Sequence, residues 1–167
     1  MVNGKPQRKA VRLPGVIYKQ GHAYSVTVCT RERHPWFALS PALAEECATQ
    51  LETLAKERGS DIFAWCLMPD HLHLLVQDVD LVAFMRIFKG RLAKQAREYQ
   101  TGDTLWQRGF YDHTLRGEEL LLDVAKYIWA NPVRAGLVAS PAKYEWSGSL
   151  VWPSWREEFR GTEYGRG

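Results

Sequence analysis

His71 and His73 stand two residues apart in the run His71 to Gln77 (HLHLLVQ), where residue type and spacing together first suggest chemistry. On a strand both imidazoles project from one face, about 6.6 Å apart along the chain, while Leu72, Leu74 and Val76 take the other. Two imidazoles so placed can converge on one divalent ion at about 2.0 to 2.2 Å, whereas burying them without partners is costly. The pair reads as two metal ligands, with hydrogen-bonded structural histidines as the plainer alternative. The strand offers no third ligand. Farther on, Tyr127 and Asn131 are spaced i and i+4 on a predicted helix and stack on one face. With Leu121, Val124, Ala125 and Ile128 as the apolar centre, they stand on its flank, about 100° and 60° round the wheel. Periodicity fits two readings. One is a packing tyrosine followed by a helix-ending asparagine before Pro132; the other is a pair that reaches across to a site on the sheet.

The elements that carry these residues alternate in period. Ala23 to Thr30 (AYSVTVCT) alternates and is rich in β-branched residues, a strand pattern. Ser40 can cap a helix and Pro41 suits its first position; Leu43, Cys47, Leu51, Leu54 and Ala55 then recur at helical spacing until Gly59. Asp61 to Leu67 and His71 to Gln77 form a predicted hairpin about Met68-Pro69-Asp70, because proline cannot continue a ladder. Leu81, Phe84, Met85, Phe88 and Leu92 mark a second amphipathic helix. Gln107 to Arg116 reads as a fourth strand, reached past Gly102 and Asp103. A third helix begins with Glu118, Glu119 and Asp123 near the positive end of its dipole and is expected to end near Asn131, ahead of Pro132. This order predicts an α+β fold of the ferredoxin-like sandwich kind: a mainly antiparallel sheet of four to five strands with helices on one face. No linker, repeat or low-complexity tract interrupts it. Residues 1–167 read as a single domain with a basic tail over 1–14 and a polar, glycine-rich end over 156–167 expected to fray.

Composition sets outer bounds. The chain has 167 residues, 46% hydrophobic and 25% charged, which excludes collagen, coiled coil and wholesale disorder. Its three cysteines, Cys29, Cys47 and Cys66, include no CxxC pair, which argues against a zinc ribbon or a disulfide framework and suits a reducing cytoplasm. No apolar run approaches the roughly 20 residues of a membrane span, and Met1 to Pro14 lacks the apolar stretch of a signal peptide, so no membrane partner is expected. Net charge is only +3, but it is segregated. Lys5, Arg8, Lys9 and Arg12 fall in a stretch without acids, as do Arg86, Lys89, Arg91, Lys94 and Arg97, whereas Ala42 to Arg58 holds Glu45, Glu46, Glu52 and Glu57. One basic face and one acidic face would suit a protein that meets nucleic acid in a fixed orientation; a merely solvated helix face is the bland alternative.

Local strings sharpen this. MPDHLHLLV at Met68 to Val76, WQRGFYDHTLR at Trp106 to Arg116, and KYIWANPVRAGLV at Lys126 to Val138 followed by YEWSGS at Tyr144 to Ser149 resemble the single-tyrosine HUH transposases, specifically the REP-associated tyrosine transposases of bacteria. The resemblance runs from about Ala23 to Ser149. It implies a histidine pair at His71 and His73, a nucleophilic Tyr127, and Asn131 as a helix-borne third metal ligand. The implied activity is to bind a hairpin of single-stranded DNA, such as a REP-like palindrome, nick it beside the stem and rejoin ends. Relatives often carry a histidine after the early strand tyrosine, where this chain reads Tyr24-Ser25-Val26-Thr27, and Tyr111 is a second tyrosine to weigh.

The implied chemistry is coherent. Phosphodiester cleavage needs an oxygen nucleophile, neutralisation of charge on phosphoryl oxygens and an in-line leaving group. Mg²⁺ or Mn²⁺ held by His71, His73 and Asn131 would serve the last two, and Tyr127 the first. A phenol of pKa near 10 is mostly neutral at pH 7, and the sequence offers no obvious base for it. A 5′-phosphotyrosine conserves bond energy for rejoining, consistent with the lack of any GxxxxGK[ST] string. The α-helical basic residues and the N-terminal tail would neutralise phosphates. Arg108 and Arg134 are contacts beside the site, or else surface ion pairs. Of the seven tryptophans (36, 65, 106, 129, 146, 152 and 155), one or two are expected to touch DNA and the rest to be core. Two other classes are weighed: a non-catalytic nucleic-acid-binding module and a metal-dependent hydrolase using water. REP-associated relatives imply a monomer rather than a homodimer, and a host-domesticated role.

Overall fold

The structure, a computed structural model, describes residues 22–99, 104–116 and 119–161. The tail bearing Lys5, Arg8, Lys9 and Arg12, the Gly102-Asp103 turn, Glu118 and residues 162–167 lie outside the described residues. Alternation does in β1 (Ala23–Cys29) what it predicts: Val26 and Val28 are buried on one side, and Ser25 and Thr27 face the other. A 3₁₀ turn (Arg31–Arg33) and a four-residue helix α1 (Trp36–Leu39), neither of them predicted, lead to α2 (Pro41–Arg58). Ser40 caps α2 by accepting from the Leu43 N–H at 3.2 Å, and Gly59 ends it at φ 66, a left-handed conformation that favours glycine. The hairpin β2 (Asp61–Met68) and β3 (His71–Gln77) follows, then α3 (Leu81–Ala96), capped by Asp80.

The next strand is shorter than predicted. β4 is Tyr111–Leu115, because Gly109 at φ 76 turns the chain and leaves Gln107 to Phe110 as a loop. α4 (Glu119–Trp129) ends two residues before Asn131, and the chain continues into a single turn, α5 (Asn131–Arg134). Pro132 explains the break, since it lacks the N–H that a continuing helix needs but suits the first turn of a new one. β5 (Ser147–Gly148) completes a five-stranded antiparallel sheet of order β4-β1-β3-β2-β5.

Helices cover both faces of this sheet, not one. Val26, Val28, Leu72, Leu74 and Val76 pack with α2 and α3. On the other side Phe63, Cys66 and Leu75 pack with Leu121, Ala125, Ile128 and Trp129 of α4. The reason is that β2 is apolar on both faces, β3 adds Leu75 beside its histidines, and α4 has an apolar stripe of its own, so each needs a cover. The expected fraying of 156–167 does not hold for 156–161. Trp155–Phe159 forms a 3₁₀ turn whose Trp155 stacks on Trp129, ring centroids 4.6 Å apart, with Phe159 also buried. None of the seven tryptophans is exposed. The two charged helices do not make opposite faces either: α2 and α3 lie side by side, joined by Arg91 and Glu57 at 2.7 Å. No helix among the described residues is long and apolar enough to cross a membrane.

Candidate active site

Antiparallel pairing sets Thr27 opposite His73 and Cys29 opposite His71, so all four share one face. The imidazoles meet edge to face with centroids 4.7 Å apart, and their Nε2 atoms are 3.0 Å from each other. His71 Nδ1 lies 2.6 Å from Asp70 Oδ1, with Arg33 Nη2 farther off at 3.3 Å, and His73 Nδ1 lies 3.1 Å from the Thr27 hydroxyl. A carboxylate only accepts, so His71 carries its proton on Nδ1, and the Thr27 hydroxyl can accept from His73 in the same way. With both rings neutral, their Nε2 lone pairs face one gap, as two ligands of a single cation do; with His71 protonated on both nitrogens, its Nε2–H instead donates to His73 Nε2 across that gap. Adjacent ligands of an octahedral ion with bonds of about 2.1 Å stand about 3.0 Å apart, so the separation fits a divalent cation. Asp70 and Thr27 are the outer partners that orient such ligands.

Arg33 braces this arrangement. Its Nε donates to Asp70 Oδ2 at 2.9 Å and its Nη1 to Cys29 Sγ at 3.3 Å. Glu32 and Arg33 both adopt φ 56, which costs on the order of 1–3 kcal/mol for such residues. The turn persists because Arg33 is tied to Asp70, and because the buried Thr30 hydroxyl lies 2.8 Å from His34 O and 3.0 Å from Asp70 O. Burial, aided by the charges of His71, Arg134 and Arg33, pushes His73 down to about 4, so it is neutral at pH 7 as a metal ligand must be. Burial alone would raise Asp70, but Arg33 and His71 outweigh it and hold the carboxyl below its usual value. Arg33, Asp70 and Thr27 went unnoticed in the sequence as ligand partners, although Asp70 precedes His71 directly and Thr27 lies in the alternating strand Ala23 to Thr30.

A second cluster sits where α4 meets α5. Tyr127 is 64% exposed, and the Arg134 guanidinium covers its ring, 3.9 Å from the centroid. Arg134 also donates to Asn131 Oδ1 and to the Tyr127 carbonyl, both at 2.8 Å. Asn131 Nδ2 donates to Ile128 O at 3.1 Å, satisfying a carbonyl at the end of α4, while Oδ1 keeps a second lone pair. α4 packs against Cys66, which pairs with His73, so this cluster stands on the histidine side of the sheet. No hydrogen bond among the described residues joins Tyr127 or Asn131 to either histidine. No group of three or more His, Cys, Asp or Glu suited to hold a metal occurs among the described residues either.

The basic residues of α3 are not brought to this site. α3 packs on the face of β3 opposite the imidazoles. Arg86, Lys94 and Arg97 are exposed there, Arg91 is held by Glu57, and Lys89 Nζ donates to Gln107 O at 3.1 Å and Gly109 O at 2.8 Å. Lys89 thus buttresses the loop before β4. Arg108, exposed on that loop, stands beside Tyr111, which is 69% exposed and paired directly with Thr27 on the histidine face.

Similar proteins define the class as transposases. The pattern of the family described as transposase IS200-like matches residues 18–131, taking in β1 through α4, both histidines, Tyr127 and Asn131, and the chain belongs to that family. A candidate REP-associated tyrosine transposase of Haemophilus influenzae is 32% identical over 89 residues, covering 45% of this chain and 51% of the relative. The chain thus spans about half the length of that relative. An uncharacterised protein of the same organism is 21% identical over 165 residues, covering 78% of this chain and 91% of the relative. In fold the chain is similar to a REP-associated tyrosine transposase solved with a REP hairpin, with TM-score 0.63, 22% identity and 79% of each chain covered. A solved candidate transposase of Deinococcus radiodurans has TM-score 0.50 and 23% identity, covering 68% of this chain and 92% of the other.

Proposed function

We propose that the chain is a metal-dependent enzyme that nicks and rejoins single-stranded DNA beside a hairpin, such as a REP-like palindrome, with Tyr127 as nucleophile. The observation that carries this reading is the pair of imidazoles whose Nε2 atoms stand 3.0 Å apart, each ring locked from behind. His71 and His73, with Asn131 as third donor, would hold Mg²⁺ or Mn²⁺. Imidazole favours transition ions, so Mn²⁺ should be the tighter of the two. When bound, the ion neutralises charge on the phosphoryl oxygens.

In the reaction, the Tyr127 phenolic oxygen attacks phosphorus and its proton leaves to solvent. The P–O3′ bond breaks, the departing oxygen takes up a proton as a free 3′-hydroxyl, and a 5′-phosphotyrosine remains. Reversal with a new 3′-hydroxyl rejoins strands without ATP. Arg134 restrains the tyrosine ring by stacking on it and pins the Asn131 amide, so the two act as one unit. In this reading the site is complete within one chain, and the protein acts as a monomer.

A labelled hairpin oligonucleotide with Mn²⁺ tests this. The expected result is an adduct resistant to SDS, lost in Tyr127→Phe and retained in Tyr111→Phe. Nicking without an adduct would indicate a hydrolase using water, and binding without nicking a recognition module; either outcome overturns the reading.

A further inference from the structure

We propose that the pocket between β1 and the loop from Gln107 to Tyr111 is a seat for one unpaired nucleotide, with its base against Tyr111 and its phosphate toward Arg108. This deepens the reading above and rests on it. The pocket, partly open to solvent, offers about 160 Å³ lined by Thr27 and Cys29 of β1 and by the loop. A cavity of about 150 Å³ accepts a benzene ring, so one planar ring has room here.

The pocket adjoins the histidine pair. Thr27 both lines it and holds His73 at 3.1 Å. Tyr111 pairs with Thr27, and Thr27 with His73, so the tyrosine stands two strands, about 10 Å, from the imidazole on the same face. An extended dinucleotide spans that distance. The Tyr111 ring is 69% exposed and stacks on no other ring among the described residues. Arg108 is exposed with no ion pair among them, and no acidic side chain lines the pocket. Gln107 offers an amide that can both donate to and accept from a base edge.

The wall is built in advance. Lys89 holds two of its carbonyls, Gln107 N donates to Cys29 O at 2.8 Å, and Gly109 supplies the left-handed turn. A wider groove of about 570 Å³, lined by Arg31, Lys89 and Trp106 among others, continues from the same loop toward α3. That groove gives a strand leaving the seat a cationic route round the sheet edge to the basic side of α3.

Hairpin oligonucleotides carrying one abasic residue at each unpaired position in turn are bound to the full chain, to Tyr111→Ala and to Tyr111→Phe. At one position the missing base should weaken wild-type binding about tenfold to a hundredfold. In Tyr111→Ala that penalty should shrink to within about twofold, and Tyr111→Phe should retain it. Arg108→Ala provides a readout independent of the strand: its slope of log affinity against log salt should fall by about one. A penalty that is the same in wild type and Tyr111→Ala at every position overturns the seat while leaving the proposed activity standing, provided wild type still forms its adduct. Loss of the adduct in Tyr111→Phe overturns the seat by making Tyr111 the reacting residue. No adduct from wild type on any substrate removes the proposed activity and the seat with it.

Discussion

Replacing Gly148 by alanine probes how the tyrosine helix is held. A Cβ at Gly148 falls 2.5 Å from Nε1 of Trp65, 2.7 Å from Cε2 and 2.8 Å from Cζ2. Non-bonded atoms prefer about 3.5–4.0 Å, so the indole edge and β5 must part by roughly 1 Å. Trp65 packs against the α2–α3 core, and overpacking such a contact costs about 1–3 kcal/mol. Moving β5 instead strains the bond from Trp129 Nε1 to Gly148 O, 3.0 Å long and worth about 1 kcal/mol. A loss of about 2–3 kcal/mol follows, or roughly 5–10 °C in Tm for a chain of this size. Thermal and urea unfolding of Gly148→Ala, Trp65→Phe and the double variant measure it. The smaller ring should recover at least about 1 kcal/mol as a coupling energy. A Gly148→Ala protein within about 0.5 kcal/mol of wild type, or an equal loss in the Trp65→Phe background, would refute the close-approach argument.

Thr27→Val keeps the shape of the side chain but removes the acceptor behind His73; Mn²⁺ affinity, followed by calorimetry, should fall about tenfold to a hundredfold, and unchanged affinity would deny Thr27 its orienting role. Arg134→Gln should slow adduct formation at saturating DNA by about tenfold or more while leaving hairpin affinity nearly unchanged; loss of affinity instead would make Arg134 a DNA contact. Burial raises the Asp78 carboxyl, but bonds from Arg58 at 2.7 Å, from Ser60 and from the Asp80 N–H outweigh it and hold it below its usual value. Its stabilisation is therefore complete above the unfolded value of about 3.9 and fades as pH falls through the lower folded value. Melting temperature should drop less between about pH 5 and pH 3 in Asp78→Asn than in wild type, and parallel pH profiles would contradict the assignment.

Period and punctuation alone determined most of the local structure. The caps Ser40 and Gly59 bound α2, Pro69-Asp70 turns the hairpin, and alternation sends His71 and His73 to one side and Leu72, Leu74 and Val76 to the other. These depend on backbone sterics and neighbouring residues, which a single sequence contains. Tertiary structure decided what depends on residues far apart in the chain. Thr27 reaches His73 across 46 residues and Arg33 reaches Asp70 across 37, because register is a property of paired strands rather than of either one. The same applies to α4. Its apolar stripe was legible, but which face it would cover was settled by the second apolar side of β2, by Leu75 of β3 and by the Trp129–Trp155 stack. The basic stripe of α3 was visible as charge, yet its place behind the sheet follows from packing, since Phe84, Phe88 and Leu92 must be buried against the apolar face of β3 that the histidines do not occupy.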